Sequence, residues 1–467
     1  MHMMYKVVLF YKYTQLNPTV EVKRQTKIGR GLSLTGRILV AEEGINGTVA
    51  SKIVADKDCP CPLDEYIKVM SNDPRFEDVD WKVSLSDVEP FPDFVVKNQK
   101  TIISTGNYNI PPPNPATFPG GKHLKPEEFH NELKKALTTH KNDYVVLDVR
   151  NNQEHLIGNF QGSINPKTRF FSEWPQYVEN NLKSFKDKKI LMYCTGGIRC
   201  EKASAFLKSK GCSDVSQLKG GIHRYLEKYE NDGGGYWVGK NFVFDKRVTQ
   251  PTSAASSKII VGKCFECKDP FDKIDGSTVC TVCRDHVLVC TKCKLECKNV
   301  YYCNNHLYLK GVYYYFIEQF SIQELQIQMK ELTKIHEQML VIDDNNSRRS
   351  KNKSNMLLSK RNVIKKTKDC IDEKEGYKVA IKASEDIVKP PNPKRLKKNI
   401  NKEKRKQGTK KYKNKRRTVM KQIIKLQKRI GDLKNGTCAI DTNEKCRTCM
   451  KDTQLCNGEC WGFWQKK

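Results

Sequence analysis

Cys194 follows the apolar run Ile190-Leu191-Met192-Tyr193 and precedes a helical stretch from Glu201 to Lys210, with Thr195-Gly196-Gly197-Ile198-Arg199 in between. A glycine-rich turn from strand to helix aims successive backbone N–H groups into one concavity, and the helix N-terminus adds positive potential. Arg199 adds a permanent cation. A thiol in that setting ionises more easily than a free cysteine, so the loop predicts a nucleophilic thiolate at Cys194 near neutral pH. Cys200 is a candidate partner that could resolve an oxidised Cys194, against the alternative of a packed helix cysteine. Cys212 and Cys370 read as small buried hydrophobes, and His155 and His223 as hydrogen-bonding residues without a catalytic role.

Four ligand pairs, Cys264-x2-Cys267, Cys280-x2-Cys283, Cys290-x2-Cys293 and Cys303-x2-His306, fall within 43 residues. A two-residue gap lets both side chains of a pair reach one ion, and four thiolate or imidazole donors complete a tetrahedral zinc shell. Eight ligands suffice for two structural zinc ions, which would help fold a segment poor in core residues. Spacing does not decide which pairs share an ion. Taking His286 in place of Cys280 gives an interleaved order loosely like a RING finger, which would imply ubiquitin transfer; an iron–sulfur cluster is a further alternative. Near the end, Cys446-x2-Cys449-x6-Cys456-x3-Cys460 offers one more four-cysteine zinc site, with Cys438 as a spare. No nucleotide cofactor is expected.

Elements must position these groups. Residues 5–13, Leu39-Val40-Ala41 and Trp81 to Leu85 read as strands, and Val20 to Leu32 and Asp64 to Asn72 as helices, so residues 1–105 form a small α+β domain. The Pro/Gly-rich stretch 106–122 is a linker. Beyond it, helix (Pro126 to Thr139), strand (Tyr144 to Asp148), helix (Trp174 to Phe185), strand (190–193) and helix (Glu201 to Lys210) alternate, which predicts an α/β domain with a parallel sheet at 123–235. A zinc module at 260–310 and a helix at 311–342, centred on Tyr313 to Met339, follow. Residues 343–434 form a basic, largely disordered tail with a possible helix at Thr418 to Leu433, and the last cysteine cluster occupies 438–464.

Charge is concentrated in that tail. The 467 residues carry a net +31, and Asp343 to Thr437, with 32 Lys/Arg against 10 Asp/Glu, holds +22 of it. The tail therefore predicts contact with a polyanion, and its Lys/Arg runs at 394–398, 404–406 and 410–417 read as RNA-binding or nuclear-localisation segments. Nineteen cysteines without an apolar leader at Met1 to Phe10 predict a reducing, cytoplasmic setting. No run approaches the ~20 apolar residues of a membrane span, so no membrane partner is expected.

Several motifs carry a family resemblance. Asp148-Val149-Arg150, Glu154-His155-Leu156-Ile157-Gly158, Gly162-Ser163-Ile164-Asn165, the loop 194–199 and Leu218-Lys219-Gly220-Gly221-Ile222 make the region 123–235 resemble a rhodanese domain. The resemblance implies that Cys194 carries a persulfide or other oxidised sulfur. Related phosphatases place five residues between Cys and Arg, whereas this chain places four, which favours sulfur chemistry. Gly36 to Thr48 resembles an acylphosphatase-like (ferredoxin-like) domain that precedes the rhodanese domain in one subfamily, in which Asn46-Gly47 could equally form a tight turn. Bacterial members of that subfamily are oxygen-dependent hydroxylases of the tRNA wobble uridine, and eukaryotic members are labelled thiosulfate sulfurtransferase/rhodanese-like proteins. The resemblance thus implies tRNA uridine hydroxylation through Cys194, or alternatively transfer of sulfur from a sulfane donor; a non-catalytic zinc and RNA scaffold is the reading from another class.

Overall fold

The computed structural model describes residues 4–53, 61–250, 255–274, 276, 278–283, 285–297, 300–310, 317–340 and 415–440. These form two compact units: residues up to 280 together with 285–303, and residues 281–283 together with 304–440.

The first unit opens with β1 (Tyr5–Tyr13), α1 (Pro18–Gly31), β2 (Thr35–Ala41), β3 (Gly44–Lys52), α2 (Pro62–Ser71), β4 (Lys82–Ser86) and β5 (Phe94–Asn98). The strands order β4-β1-β3-β2-β5, antiparallel except for β2 with β5, so the first six elements form a split β-α-β unit of ferredoxin type. Pro18 starts α1, and Asn17 caps it by accepting the Val20 N–H at 3.2 Å. Alternation along the strands sends Val8, Phe10, Ile38, Val40, Ile45 and Val49 to one face, where Leu63, Tyr66 and Met70 of α2 close the core. Asn46 and Gly47 are not a turn. They lie inside β3, paired with Tyr11 and Phe10, and the β2–β3 turn is Glu42-Glu43. The expected turn chemistry loses to sheet pairing, because Gly47 faces the bulky Phe10 across the strands.

The second half of this unit contains β6 (Lys122–Leu124), α3 (Pro126–Leu137), β7 (Tyr144–Asp148), α4 (Asn152–Ile157), β8 (Gly158–Phe160), α5 (Trp174–Asn181), β9 (Lys189–Tyr193), α6 (Ile198–Ser209), β10 (Val215–Leu218), α7 (Gly221–Tyr229) and β11 (Trp237–Gly239). Strands β6-β10-β9-β7 form a parallel sheet, and β8 pairs with β11. Helices cover both faces: α5 and α6 pack over Leu147, Ile190 and Met192, while α3 and α7 pack over Val146, Leu191 and Tyr193. That burial on two sides explains why β7 and β9 read as unbroken apolar runs. α6 begins three residues earlier than expected, at Ile198, which puts Arg199 and Cys200 in its first turn.

In the second unit, the helix expected over Tyr313–Met339 occupies 322–340, after a 3₁₀ turn at Ile317–Gln319; residues 311–316 lie outside the described residues. Leu325, Leu332 and Met339 form its buried stripe at seven-residue spacing. A second helix at 415–434 covers the basic helix expected at Thr418 to Leu433 and buries Val419, Ile423, Leu426 and Ile430. Its Arg429 donates to the Glu318 carbonyl at 2.9 Å. The disorder expected for 343–412 and the cluster Cys446, Cys449, Cys456, Cys460 both fall outside the described residues. Among the described residues, no helix is long and apolar enough to cross a membrane.

Candidate active site and metal centre

Cys194 stands at the carboxyl end of β9, where open parallel sheets place their ligands. Gly197 ends the loop at φ +107°, a conformation other residues rarely adopt, and its N–H donates to Cys194 Sγ at 3.1 Å. The outer side of the loop is tied to α7: Ile222 N–H donates to the Cys194 carbonyl at 3.0 Å, and His223 N–H to the Thr195 carbonyl at 3.2 Å. A Cβ at Gly221 would meet both carbonyl oxygens at 2.6 Å, so only glycine lets α7 approach this closely. With its carbonyls turned toward α7, the loop keeps its N–H groups facing the sulfur.

Burial by itself would raise the Cys194 thiol. The Cys200 thiol, which hydrogen-bonds to it, the Arg199 guanidinium and the backbone N–H groups of Cys200 and Gly197 outweigh burial and bring it down to about 6. Cys200 moves the other way, raised by burial and by its anionic neighbour. The two thiols are thus brought together. Arg199 does not point at the sulfur freely: its fork donates to Glu154 Oε2 at 2.7 Å and Oε1 at 2.8 Å, and to Thr195 Oγ1 at 3.1 Å. All three side chains are buried. Beneath them, Asp148 accepts from Arg150 Nε at 2.9 Å and from Tyr193 Oη at 2.8 Å, and its Oδ2 lies 2.9 Å from His155 Nδ1. His155 is therefore a hydrogen-bonding residue in this network. The sequence reading missed Glu154 as the partner of Arg199; its position at the third residue of α4, with its Oε2 accepting the Asn151 N–H at 3.0 Å, is the capping signal that marks it.

Thr195, Gly196, Ile198 and Arg199 form one wall of a cavity of about 600 Å³. The opposite wall comes from the ferredoxin-like sheet, through Tyr11 of β1, Arg37 of β2 and Asn46 and Thr48 of β3, and Phe170 and Phe244 flank the opening. Arg199 lies 5.6 Å from the Phe244 ring centroid. Two ion pairs hold the halves together: the fully buried Lys202 on Glu43 at 2.8 Å, and Arg224 on Asp80 at 2.6 Å. A second, small cavity of about 30 Å³ carries the ring of His223, whose two nitrogens have no partner and which burial, more than nearby Lys82 and Arg224, depresses to about 3.

Of the sequence-marked ligands, Cys264, Cys267, Cys290 and Cys293 come together, each offering Sγ within 4.8 Å of the others, a group able to hold a metal ion. The Cys267 and Cys290 sulfurs are 3.7 Å apart, and the Cys290 N–H donates to Cys264 Sγ at 3.3 Å. The first and third pairs therefore lie together, an interleaved order that skips the second pair.

Comparison with known proteins agrees with this architecture. A UPF0176 acylphosphatase-like domain matches residues 5–102, a rhodanese-like domain 129–228 and a rhodanese C-terminal domain 238–306. The tRNA uridine(34) hydroxylase of Bacillus licheniformis is 36% identical over 309 residues, spanning 64% of this chain and 90% of its own. That of Wolbachia pipientis is 36% identical over 296 residues, or 63% and 98%. Rhodanese-like domain-containing protein 6 of Arabidopsis thaliana is 35% identical over 316 residues, covering 64% of this chain and 52% of its own. The chain belongs to the rhodanese-domain family, with an acylphosphatase-like N-terminal domain, that includes the bacterial proteins named tRNA uridine(34) hydroxylase.

Proposed function

We propose that this chain hydroxylates the wobble uridine of tRNA in an oxygen-dependent reaction in which Cys194 is the reactive group. The observation that carries the reading is a thiol brought down to about 6, set under the loop that walls a cavity of about 600 Å³. That volume is in the ordinary range for small-molecule sites, ~300–1,000 Å³. Aromatic rings at the opening, Phe170 and Phe244, suit an unstacked base, and a wobble base lies in a single-stranded loop where stacking on aromatic side chains is the usual mode of capture. The names of the relatives supply the target, uridine 34. The hydrogen bond between Cys200 and Cys194 supports a resolving role for Cys200, in which its thiol would displace water from a Cys194 sulfenic acid to form a disulfide. The basic segment, including the helix at 415–434, supplies phosphate contacts to the same RNA in the cytoplasm.

Zinc suits the thiolate quartet. A tetrahedron with arms of ~2.3 Å has edges of ~3.8 Å, and the Cys267–Cys290 sulfur separation is 3.7 Å. Cys264, Cys267, Cys290 and Cys293 would hold one ion, Cys280, Cys283, Cys303 and His306 a second, and Cys446, Cys449, Cys456 and Cys460 a third. Four protein ligands leave no open position, so the ion's part is to hold the fold.

The test is a nucleoside comparison by mass spectrometry on tRNA from cells lacking this protein, rescued with wild type or Cys194→Ser. Loss of a hydroxylated uridine, restored only by wild type, supports the reading. Loss of a thiolated nucleoside instead would replace it with sulfur transfer through a Cys194 persulfide, and no change in any nucleoside would overturn the tRNA reading and leave persulfide transfer to proteins or small thiols.

A further inference from the structure

The fold accounts for Gly47, which faces Phe10, but not for Asn46, a poor strand former in the middle of β3. Its direct partners across the sheet are Tyr11 and Leu39, which line the cavity with it. The Tyr11 hydroxyl stands so near the cysteine loop that a Cβ on Gly197 would lie 2.7 Å from it. Asn46 Nδ2 donates to the Ile102 carbonyl at 3.2 Å. Ile102 is buried, and its N–H donates at 2.9 Å to Glu43 Oε1, the oxygen that also accepts from Lys202. Only the nitrogen end of an amide can face a carbonyl, so this anchor fixes which way the Asn46 amide lies. Among the described residues nothing donates to its Oδ1, and that oxygen is not sealed from solvent. The amide thus offers the cavity one acceptor, Oδ1, beside one donor, the second Nδ2 proton.

We infer that Asn46 tells uridine from cytidine at the base that enters this cavity, an inference that rests on the function proposed above. On its pairing edge uracil carries a donor, N3–H, beside a carbonyl acceptor. An amide matches that edge with Oδ1 on N3–H and Nδ2–H on the carbonyl oxygen. Cytosine carries the reverse, an acceptor at N3 beside an amino donor. A free asparagine meets either base by turning its amide over. Turned over here, Oδ1 would face the Ile102 carbonyl, acceptor against acceptor, and that carbonyl would lose its donor. The anchor therefore makes a two-way group into a one-way reader. It runs through Glu43 to Lys202, so the ion pair that joins the two halves also sets the reader. Of the other polar side chains on this wall, Arg37 and Lys97 only donate, the Thr48 hydroxyl turns to do either, and Tyr11 is committed to Glu201 at 3.1 Å, so none makes the same choice.

The experiment measures competition for the full-length protein among anticodon stem-loop RNAs that differ only at the wobble base: uridine, cytidine, or N3-methyluridine, which keeps both carbonyls and lacks the N3 proton. Wild type is expected to bind the uridine RNA roughly tenfold or more above the other two, the ordinary worth of one bidentate match against the wrong base. Asn46→Ala should hold the three alike, at the strength wild type shows for cytidine. Asn46→Thr suits a strand better and puts a hydroxyl that gives or accepts in place of the amide, so it too should lose the preference. Wild type without a preference, a preference that survives in both variants, or variants that weaken all three RNAs by one factor overturn the reader and leave the hydroxylase reading intact. A preference lost in both variants, while cells lacking the protein keep every tRNA nucleoside, supports the reader and overturns hydroxylation. Wild type that binds none of the three RNAs overturns both.

Discussion

Replacing Cys200 by alanine removes, after burial, the largest influence on Cys194 and the largest of those that lower it. A hydrogen bond to an ionised group is worth ~1.5–3 kcal/mol, and S–H is a weak donor, so the lower end applies; at ~1.4 kcal/mol per pH unit this is roughly one unit. Cys194 should then move from about 6 toward roughly 7. At pH 6 the thiolate fraction falls from about a half to about a tenth, but intrinsic nucleophilicity rises as basicity rises, with a Brønsted slope of ~0.4–0.5, which restores about threefold. The rate at one pH would therefore change only about twofold. The midpoint of the pH–rate curve is the sharp observable, and burial of the sulfur, which slows every rate alike, cancels from it. Iodoacetamide labelling followed on the Cys194 peptide by mass spectrometry should give midpoints near 6 for wild type and near 7 for Cys200→Ala. A wild-type midpoint at the free-cysteine value of ~8.5 would refute the electrostatic account of the loop. An unchanged midpoint in Cys200→Ala would refute the role given to the second thiol.

Three other outcomes follow from named contacts. Glu154→Gln leaves the buried Arg199 without its counter-charge and should lower stability by ~3–5 kcal/mol in urea titration; a loss under 1 kcal/mol would mean that water reaches the pair. His223 is neutral in the folded protein because its value is depressed to about 3, while in the unfolded chain it titrates near 6.5. Its contribution is therefore whole above pH ~6.5 and is lost at ~1.4 kcal/mol per unit as pH falls toward 3, so His223→Leu should flatten the decline in stability between pH 6.5 and 5; parallel curves would reject the burial argument. Cys264→Ser should reduce bound metal by about one equivalent in elemental analysis, and retention of the full amount would take Cys264 out of the ligand set.

How much of this was legible depends on whether a group is read locally or across the fold. The Cys194 loop declares itself because every part of it, strand end, glycine pair and helix start, is contiguous in sequence. Helix α7 was not among the expected elements although its Gly221 is essential to the loop: its nine residues start on glycine, a poor helix former. The paired cysteines were legible as candidate ligands, yet spacing could not say that the first pair lies with the third, because that depends on how the chain folds back. Asn46-Gly47 misled for the same reason in reverse, a local turn signal overridden by pairing across three strands.

The cavity itself was the least legible part, and its physical origin explains why. Its two walls come from distant parts of the chain: Tyr11 and Asn46 on one side stand more than 140 residues before Thr195 and Arg199 on the other. The residues that bring them together look ordinary where they stand: Lys202 occupies what reads as a solvated helix position, and Glu43 a hairpin turn. Only in the folded chain does Lys202 lose all exposure, and a buried ammonium persists there because Glu43 accepts two of its protons at 2.8 and 2.9 Å. The pair thus sets the distance at which the ferredoxin-like sheet faces the cysteine loop. A thiolate needs only the loop, but the cavity beside it takes its opposite wall from this second domain, so on the proposed function the N-terminal domain is part of the substrate site.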